Sequence, residues 1–125
     1  MIYSKDDFKE QINNRFKQDE LKDEFRAKVE NFILQYKDEI VNIVKENPNN
    51  TNYIYNNNDF CIGLTDLLNG LHANTLSKSY VRKIVIDTLS ENKIGINYFM
   101  AGIGNQVIFT EATIDCKSII DELIN

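Results

Sequence analysis

Lys78, Ser79, Tyr80, Arg82 and Lys83 stand within six consecutive positions of the sequence. Arg and Lys bring positive charge and N–H donors, Ser a hydroxyl, and Tyr a flat ring with a polar tip. Such a set can hold an anion such as phosphate. A helix running from Ser77 to about Asn92, with Ser77 able to cap its first turn, would give these residues a common scaffold. At about 100° per residue, Val81, Ile84, Val85, Thr88 and Leu89 fall on one side, while Ser79, Arg82, Lys83, Ile86 and Ser90 fall on the other. One face suits a core and the other is a cationic ridge. Charges on a helix usually just face water, so the flanking elements must decide whether this ridge has a use.

Catalytic chemistry finds little support. The chain has one histidine, His72, and two cysteines, Cys61 and Cys116, with no CxxC or Cys/His spacing around them. A metal site is therefore not expected, and the thiols are expected free and buried. Ser77 and Ser79 belong to no nucleophile signature. Gly102-Ile103-Gly104 is a fragment of a phosphate-loop pattern without the following helix or lysine, and a hairpin turn explains it better. None of the nineteen carboxylates sits in a motif that fixes an acid–base partner. The expectation is a binding protein, not an enzyme, with no cofactor.

The elements around the ridge have a recognisable order. Leu64, Leu67, Leu68 and Leu71 follow the i, i+3, i+4, i+7 spacing of a brief helix, with Gly63 near its start and Gly70 near its end. His72 to Leu76 is a connection short enough to be a turn between two angled helices. After the second helix, Ile94 to Met100 and Val107 to Thr110 are β-rich and are joined by a Gly- and Asn-containing loop, which predicts a hairpin. Helix, turn, helix, hairpin over residues 60–110 resembles the winged helix-turn-helix family of DNA-binding proteins. The resemblance implies that the helix from Ser77 docks in the major groove of double-stranded DNA through Lys78, Ser79, Tyr80, Arg82 and Lys83. It also implies that Gly102, Gly104 and Asn105 form the wing tip. The family's wing usually carries a cation, whereas here none lies between Lys93 and Lys117. Tyr98 and Phe99 are left to pack or stack.

A chain of 125 residues, 42% hydrophobic and 26% charged, fits one domain able to bury a core without disulfides or metals. The expected class is α+β, mainly helical: a winged helix-turn-helix core (60–110) with a long N-terminal helical extension (1–46) and a short C-terminal helix (113–125). In the extension, Ser4 and Asp7 suggest a helix start, and Phe8, Ile12 and Phe16 follow at intervals of four. The stripe then runs from Leu21 through Phe25, Val29, Phe32, Ile33, Tyr36, Ile40, Ile43 and Val44, one long helix ending before Pro48. Asn47 to Asp59 reads as an Asn-rich loop with a short strand at Tyr53 to Tyr55. Cys116, Ile119, Ile120, Leu123 and Ile124 make the last stripe, capped by Asp115 or Thr113.

The net charge of −5 is unevenly spread. Residues 71–109 hold Lys78, Arg82, Lys83 and Lys93 against Asp87 and Glu91, a surplus of two cations, while every other stretch is acidic. Phosphate contact depends on potential within a Debye length of about 8 Å, so the segregation suits an acidic DNA-binding protein. So few cations per chain imply weak binding by a monomer, so a homodimer is expected, with the long N-terminal stripe as material for it. The second expectation is an acidic protein-interaction module of the same fold, with a protein partner. No signal peptide, lipidation motif or long apolar run is present, so the cytoplasm is expected and a membrane is not.

Overall fold

The apolar stripe that starts at Leu21 winds into helix, but into two helices where its spacing predicts one. In the computed structural model, which describes residues 21–72, 78–102 and 106–124, the chain is helical over 21–34 (α1) and again over Lys37–Glu46 (α2). At the break the Gln35 amide donates to the Phe32 carbonyl (3.2 Å) and the Tyr36 amide to the Ile33 carbonyl (2.9 Å), i→i+3 bonds that tighten the turn. The tightening seats Tyr36 among aromatics, its ring centroid 5.3 Å from Phe32 and 5.1 Å from Phe60. Periodicity alone does not register such a turn, because the stripe continues across it.

Strand β1 is Tyr53–Tyr55, as the sequence predicts. Tyr55 is buried and its ring lies 5.3 Å from Phe60, so this tyrosine pins the loop to the core. Helix α3 spans Asn58–His72 and starts six residues before the expected Leu64. Its cap is Asn57, whose side-chain oxygen accepts from the Phe60 amide at 3.2 Å, one asparagine among many in that loop. Gly63 therefore lies inside the helix, where its task is steric. A Cβ at that position would come within 2.8 Å of the Phe32 ring, so the glycine admits the close approach of α1.

Helix α4 is Lys78–Glu91, strand β2 is Ile94–Ala101, strand β3 is Gln106–Ile114, and helix α5 is Cys116–Ile124. The chain leaves α4 through Lys93, a non-glycine residue at φ +62°, and its ammonium meets Glu122 of α5 at 3.1 Å. Asp115 caps α5, accepting from the Ser118 amide at 3.1 Å and the Ser118 hydroxyl at 2.7 Å.

The three strands form one antiparallel sheet in the order β1-β3-β2. Asn97 pairs with Glu111 and Tyr98 with Phe109, so Thr110 is an extra residue in β3, and its hydroxyl donates to the Asn97 carbonyl at 3.1 Å. β1 meets β3 only past this bulge, at Ala112 to Ile114. Before it, α3 covers the edge: the Phe109 amide donates to the Thr65 hydroxyl at 3.1 Å, and that hydroxyl donates to the Cys61 carbonyl at 2.8 Å.

A single core joins these layers. Phe25 and Val29 of α1, Val44 of α2, Phe60, Leu64 and Leu68 of α3, Val85 and Leu89 of α4, and Val107 and Ile114 of β3 belong to one buried cluster. The inner stripe of the N-terminal helices is thus covered by the same chain. Cys61 and Cys116 are buried in the same cluster and free, and burial pushes both thiols up from their ordinary range. The architecture is α+β and mostly helical, with five helices and three strands among the described residues. The helix start at Ser4 and Asp7, the residues Phe8, Ile12 and Phe16, the cap at Ser77, and Gly104 and Asn105 of the wing tip lie outside the described residues.

Candidate functional site

The orientation of α4 follows from what it buries. Val81, Ile84, Val85, Thr88 and Leu89 are in the interior, the set that the spacing predicts, and the Thr88 hydroxyl is satisfied by the Ile84 carbonyl at 2.7 Å. With that face fixed, Lys78, Ser79 and Lys83 are exposed while Tyr80 and Arg82 are half-buried. All five lie within the first two turns of α4. The two central cations have different surroundings.

Lys83 meets Asp87 one turn further on, Nζ to Oδ2 at 2.7 Å, with the two side chains 71% and 54% exposed. The hydrogen bond and charge of Asp87 raise the Lys83 ammonium above its ordinary pKa. Exposed pairs of this kind add little stability, and the order Lys before Asp is the weaker one on a helix.

Arg82 turns toward the hairpin instead of a carboxylate. Its guanidinium carbon lies 5.5 Å from the Tyr98 ring centroid, and Nη1 donates to Met100 Sδ at 3.5 Å. Tyr98 in turn stands edge-on to the buried Phe109, with centroids 6.2 Å apart. A line of contacts thus runs from the core through Tyr98 to a cation of α4, and helix and hairpin present one surface. Met100 engages one of the five N–H donors that a guanidinium carries.

The hairpin itself has no charged side chain from Ile94 to Thr110. Tyr98, Phe99 and Met100 are 39%, 49% and 48% exposed, a large apolar contribution to the surface beside α4. Gly102 begins the connection at φ +78°, where a Cβ would meet nothing within 4 Å. The requirement for glycine there lies in the backbone.

Elsewhere, a polar cavity of about 370 Å³ lies at the far end of α4, lined by Thr51, Ser90, Lys93, Thr113 and Ser118 among others. No group of three His, Cys, Asp or Glu is gathered for a metal among the described residues. No described helix is long and apolar enough to cross a membrane. The arrangement on α4 and β2 is equipped for non-covalent recognition: cationic donors and a hydroxyl on a fixed helix, next to aromatic and thioether surface.

The spacing predicts the five α4 residues on one helix, but not their contacts with Asp87, Tyr98 and Met100. A signal for Asp87 was present, since it lies four residues after Lys83. For Met100 there was none, because its approach to Arg82 depends on how the hairpin sits against α4. In comparisons with known proteins, no family model, no curated protein and no solved structure matches the chain.

Proposed function

We propose that this chain is a DNA-binding protein of winged helix-turn-helix type, in which α4 enters the major groove and the β2–β3 hairpin is the wing. The reading is supported by the order α3, α4, β2, β3, with a short β1 ahead of α3 completing a β1-β3-β2 sheet. The observation that carries it is the joint surface of α4 and β2. Lys78, Ser79 and Lys83 stand outward on a helix whose other side is locked into the core, and Arg82 links that helix to the hairpin through Tyr98 and Met100. Recognition helices bring such side chains to base edges and phosphates in their N-terminal turns. In the cell this activity fits a dimeric transcriptional regulator or a plasmid or phage partition or replication adaptor.

The test is a fluorescence-anisotropy titration at two salt concentrations against the DNA upstream of its own gene. Binding should weaken steeply with salt, and the double substitution Arg82→Ala with Lys83→Ala should nearly abolish it and flatten the salt dependence. Binding unchanged by that substitution sinks the proposal.

One observation favours a second reading, that of an acidic protein-interaction module. The wing is uncharged from Ile94 to Thr110 and exposes Tyr98, Phe99 and Met100, while Lys83 is paired with Asp87. On this reading the hairpin packs against a protein partner. Retention on heparin at low salt favours DNA; co-purification of a stoichiometric protein with no retention favours the module.

A further inference from the structure

One outward stripe belongs neither to the core nor to the α4 surface. Ala27, Glu30, Leu34, Lys37 and Val41 recur at spacings of three and four along α1 and α2, and all are exposed, Leu34 at 58% and Val41 at 38%. In α1, Ala27, Glu30 and Leu34 lie across the helix from the buried Phe25 and Val29, whereas in α2 Lys37 and Val41 flank the buried Ile40 and Val44. Beside the stripe runs a groove of about 440 Å³ between these helices and α5, with Ile33, Leu34, Val41, Ile119 and Leu123 in its walls. The end of α5 adds to the apolar surface, Leu123 being 80% and Ile124 78% exposed. Glu30, Leu34, Lys37 and Val41 themselves line this groove, so on either side of the break at Gln35 and Tyr36 the two helices present one face with apolar residues and a single anion and cation about Leu34.

We propose that this face is the contact with a second copy of the chain, α1–α2 of one copy lying antiparallel to α1–α2 of the other about a two-fold axis at Leu34. Charge selects that occupant. Glu30 and Lys37 flank Leu34 on either side, and among the described residues neither has an ion-pair partner. The other ions near the groove are already matched, Lys93 with Glu122 at 3.1 Å and Glu91 with Arg26. An antiparallel copy brings its own Lys37 opposite Glu30 and its own Glu30 opposite Lys37, satisfying both pairs through one self-complementary contact. It also sets the small Ala27 against Val41, where a branched side chain needs room. A parallel copy would oppose Glu30 to Glu30. An anionic lipid surface would meet a carboxylate for every ammonium.

The contact reaches α4 only at its last turn, at Glu91, and leaves the exposed Lys78, Ser79 and Lys83 clear of it. Two cationic surfaces are then carried by one particle, which doubles the phosphates neutralised if the chain binds DNA. The dimer itself does not rest on that reading, and its test contains no DNA.

Sedimentation equilibrium of the full chain should give twice 14.5 kDa at about 100 µM, above the micromolar end of the range for specific interfaces. Glu30→Lys alone and Lys37→Glu alone should each replace two attractions by two repulsions and raise the dissociation constant by about 10- to 100-fold. The double variant, with the charges exchanged, should restore the dimer. All three alter exposed positions, so circular dichroism spectra, and melts at concentrations low enough to keep every form monomeric, should resemble the wild type. A wild-type monomer at about 100 µM overturns the proposal. So do single variants that associate as the wild type does, or a double variant that stays as dissociated as the singles.

Discussion

On the proposed DNA-binding reading, removing the carboxylate of Asp87 should strengthen binding, and by an amount that the geometry of α4 bounds. Asp87 takes the Lys83 ammonium at 2.7 Å with both side chains largely in solvent, so in the free protein Lys83 offers phosphate little net charge. Replacing Asp87 with Ala leaves α4 intact, because the position is exposed and Ala is the best helix former. Lys83 then becomes available for one more phosphate. Each neutralised phosphate contributes about 0.9 to the slope of log K against log salt. Between a 1 M reference and 0.1 M salt that corresponds to about 10 raised to 0.9, or close to an eightfold gain in affinity.

Anisotropy titrations across a salt series, on wild type and Asp87→Ala with the same duplex, measure both quantities. The slope should steepen by about 0.9 and affinity at about 0.1 M salt should rise up to eightfold. The gain should vanish when Lys83→Ala is added, since the two side chains form one interacting pair. If the gain persists without Lys83, the effect is one of general charge and the released lysine is not its agent. If neither slope nor affinity moves, α4 does not face phosphate and the DNA assignment fails at its centre.

Three further outcomes follow from the fold. Burial above all raises the Tyr55 phenol to about 12 from its ordinary 10.0, with Glu39 adding to the rise against a lowering bond from Asn57. The neutral phenol is the form that the fold prefers, so its stabilisation is complete below pH 10 and is lost as pH climbs through 12. An ultraviolet phenolate titration should show a late step that disappears in Tyr55→Phe; an identical titration of the variant would contradict the burial argument. Thr65→Val keeps the side-chain shape but strands the Phe109 amide against α3, at a cost of about 2 kcal/mol. A thermal melt should fall by roughly 6–10 °C, and an unchanged melting temperature would mean that water replaces the hydroxyl. Phe60→Ala empties a site with no exposed surface at the junction of Phe32, Tyr36 and Tyr55. The loss should be about 3–5 kcal/mol by chemical denaturation, and a loss below about 1 kcal/mol would show that the cluster is loosely packed.

Much of the helical core was legible because amphipathic spacing is a local signal. The buried face of α4 matches its predicted residues at Val81, Ile84, Val85, Thr88 and Leu89, and the short strand Tyr53–Tyr55 emerges from β-favouring residues bounded by asparagines. What escaped was decided by contacts between distant segments. The break at Gln35 and Tyr36 serves an aromatic cluster completed by Phe60, and the early start of α3 rests on one Asn57 cap in a loop crowded with asparagine. The bulge at Thr110 is a matter of register across two strands. The site divides in the same way: the composition of the α4 ridge is local, whereas the contact of Arg82 with Tyr98 and Met100 needs the hairpin laid beside the helix.

That last contact bears on how an acidic chain could hold DNA with a wing that has no cation. A charged wing grips phosphate directly, and its strength falls with salt. Here the hairpin holds Arg82 by its ring and sulfur faces, which limits the conformations that a long side chain must give up when it meets a phosphate or a base. Tyr98 is held from behind by Phe109, so the platform is fixed before any ligand arrives. Tyr98→Ala should therefore weaken binding while leaving the salt slope nearly as in wild type, because it removes positioning and no charge. Tyr98→Phe, which keeps the ring under the guanidinium, should bind nearly as wild type does. Anisotropy titrations of both variants over a salt series decide the point: a slope that falls with Tyr98→Ala as it does with Arg82→Ala would mean that Tyr98 does more than position Arg82, and the preorganisation argument would be lost.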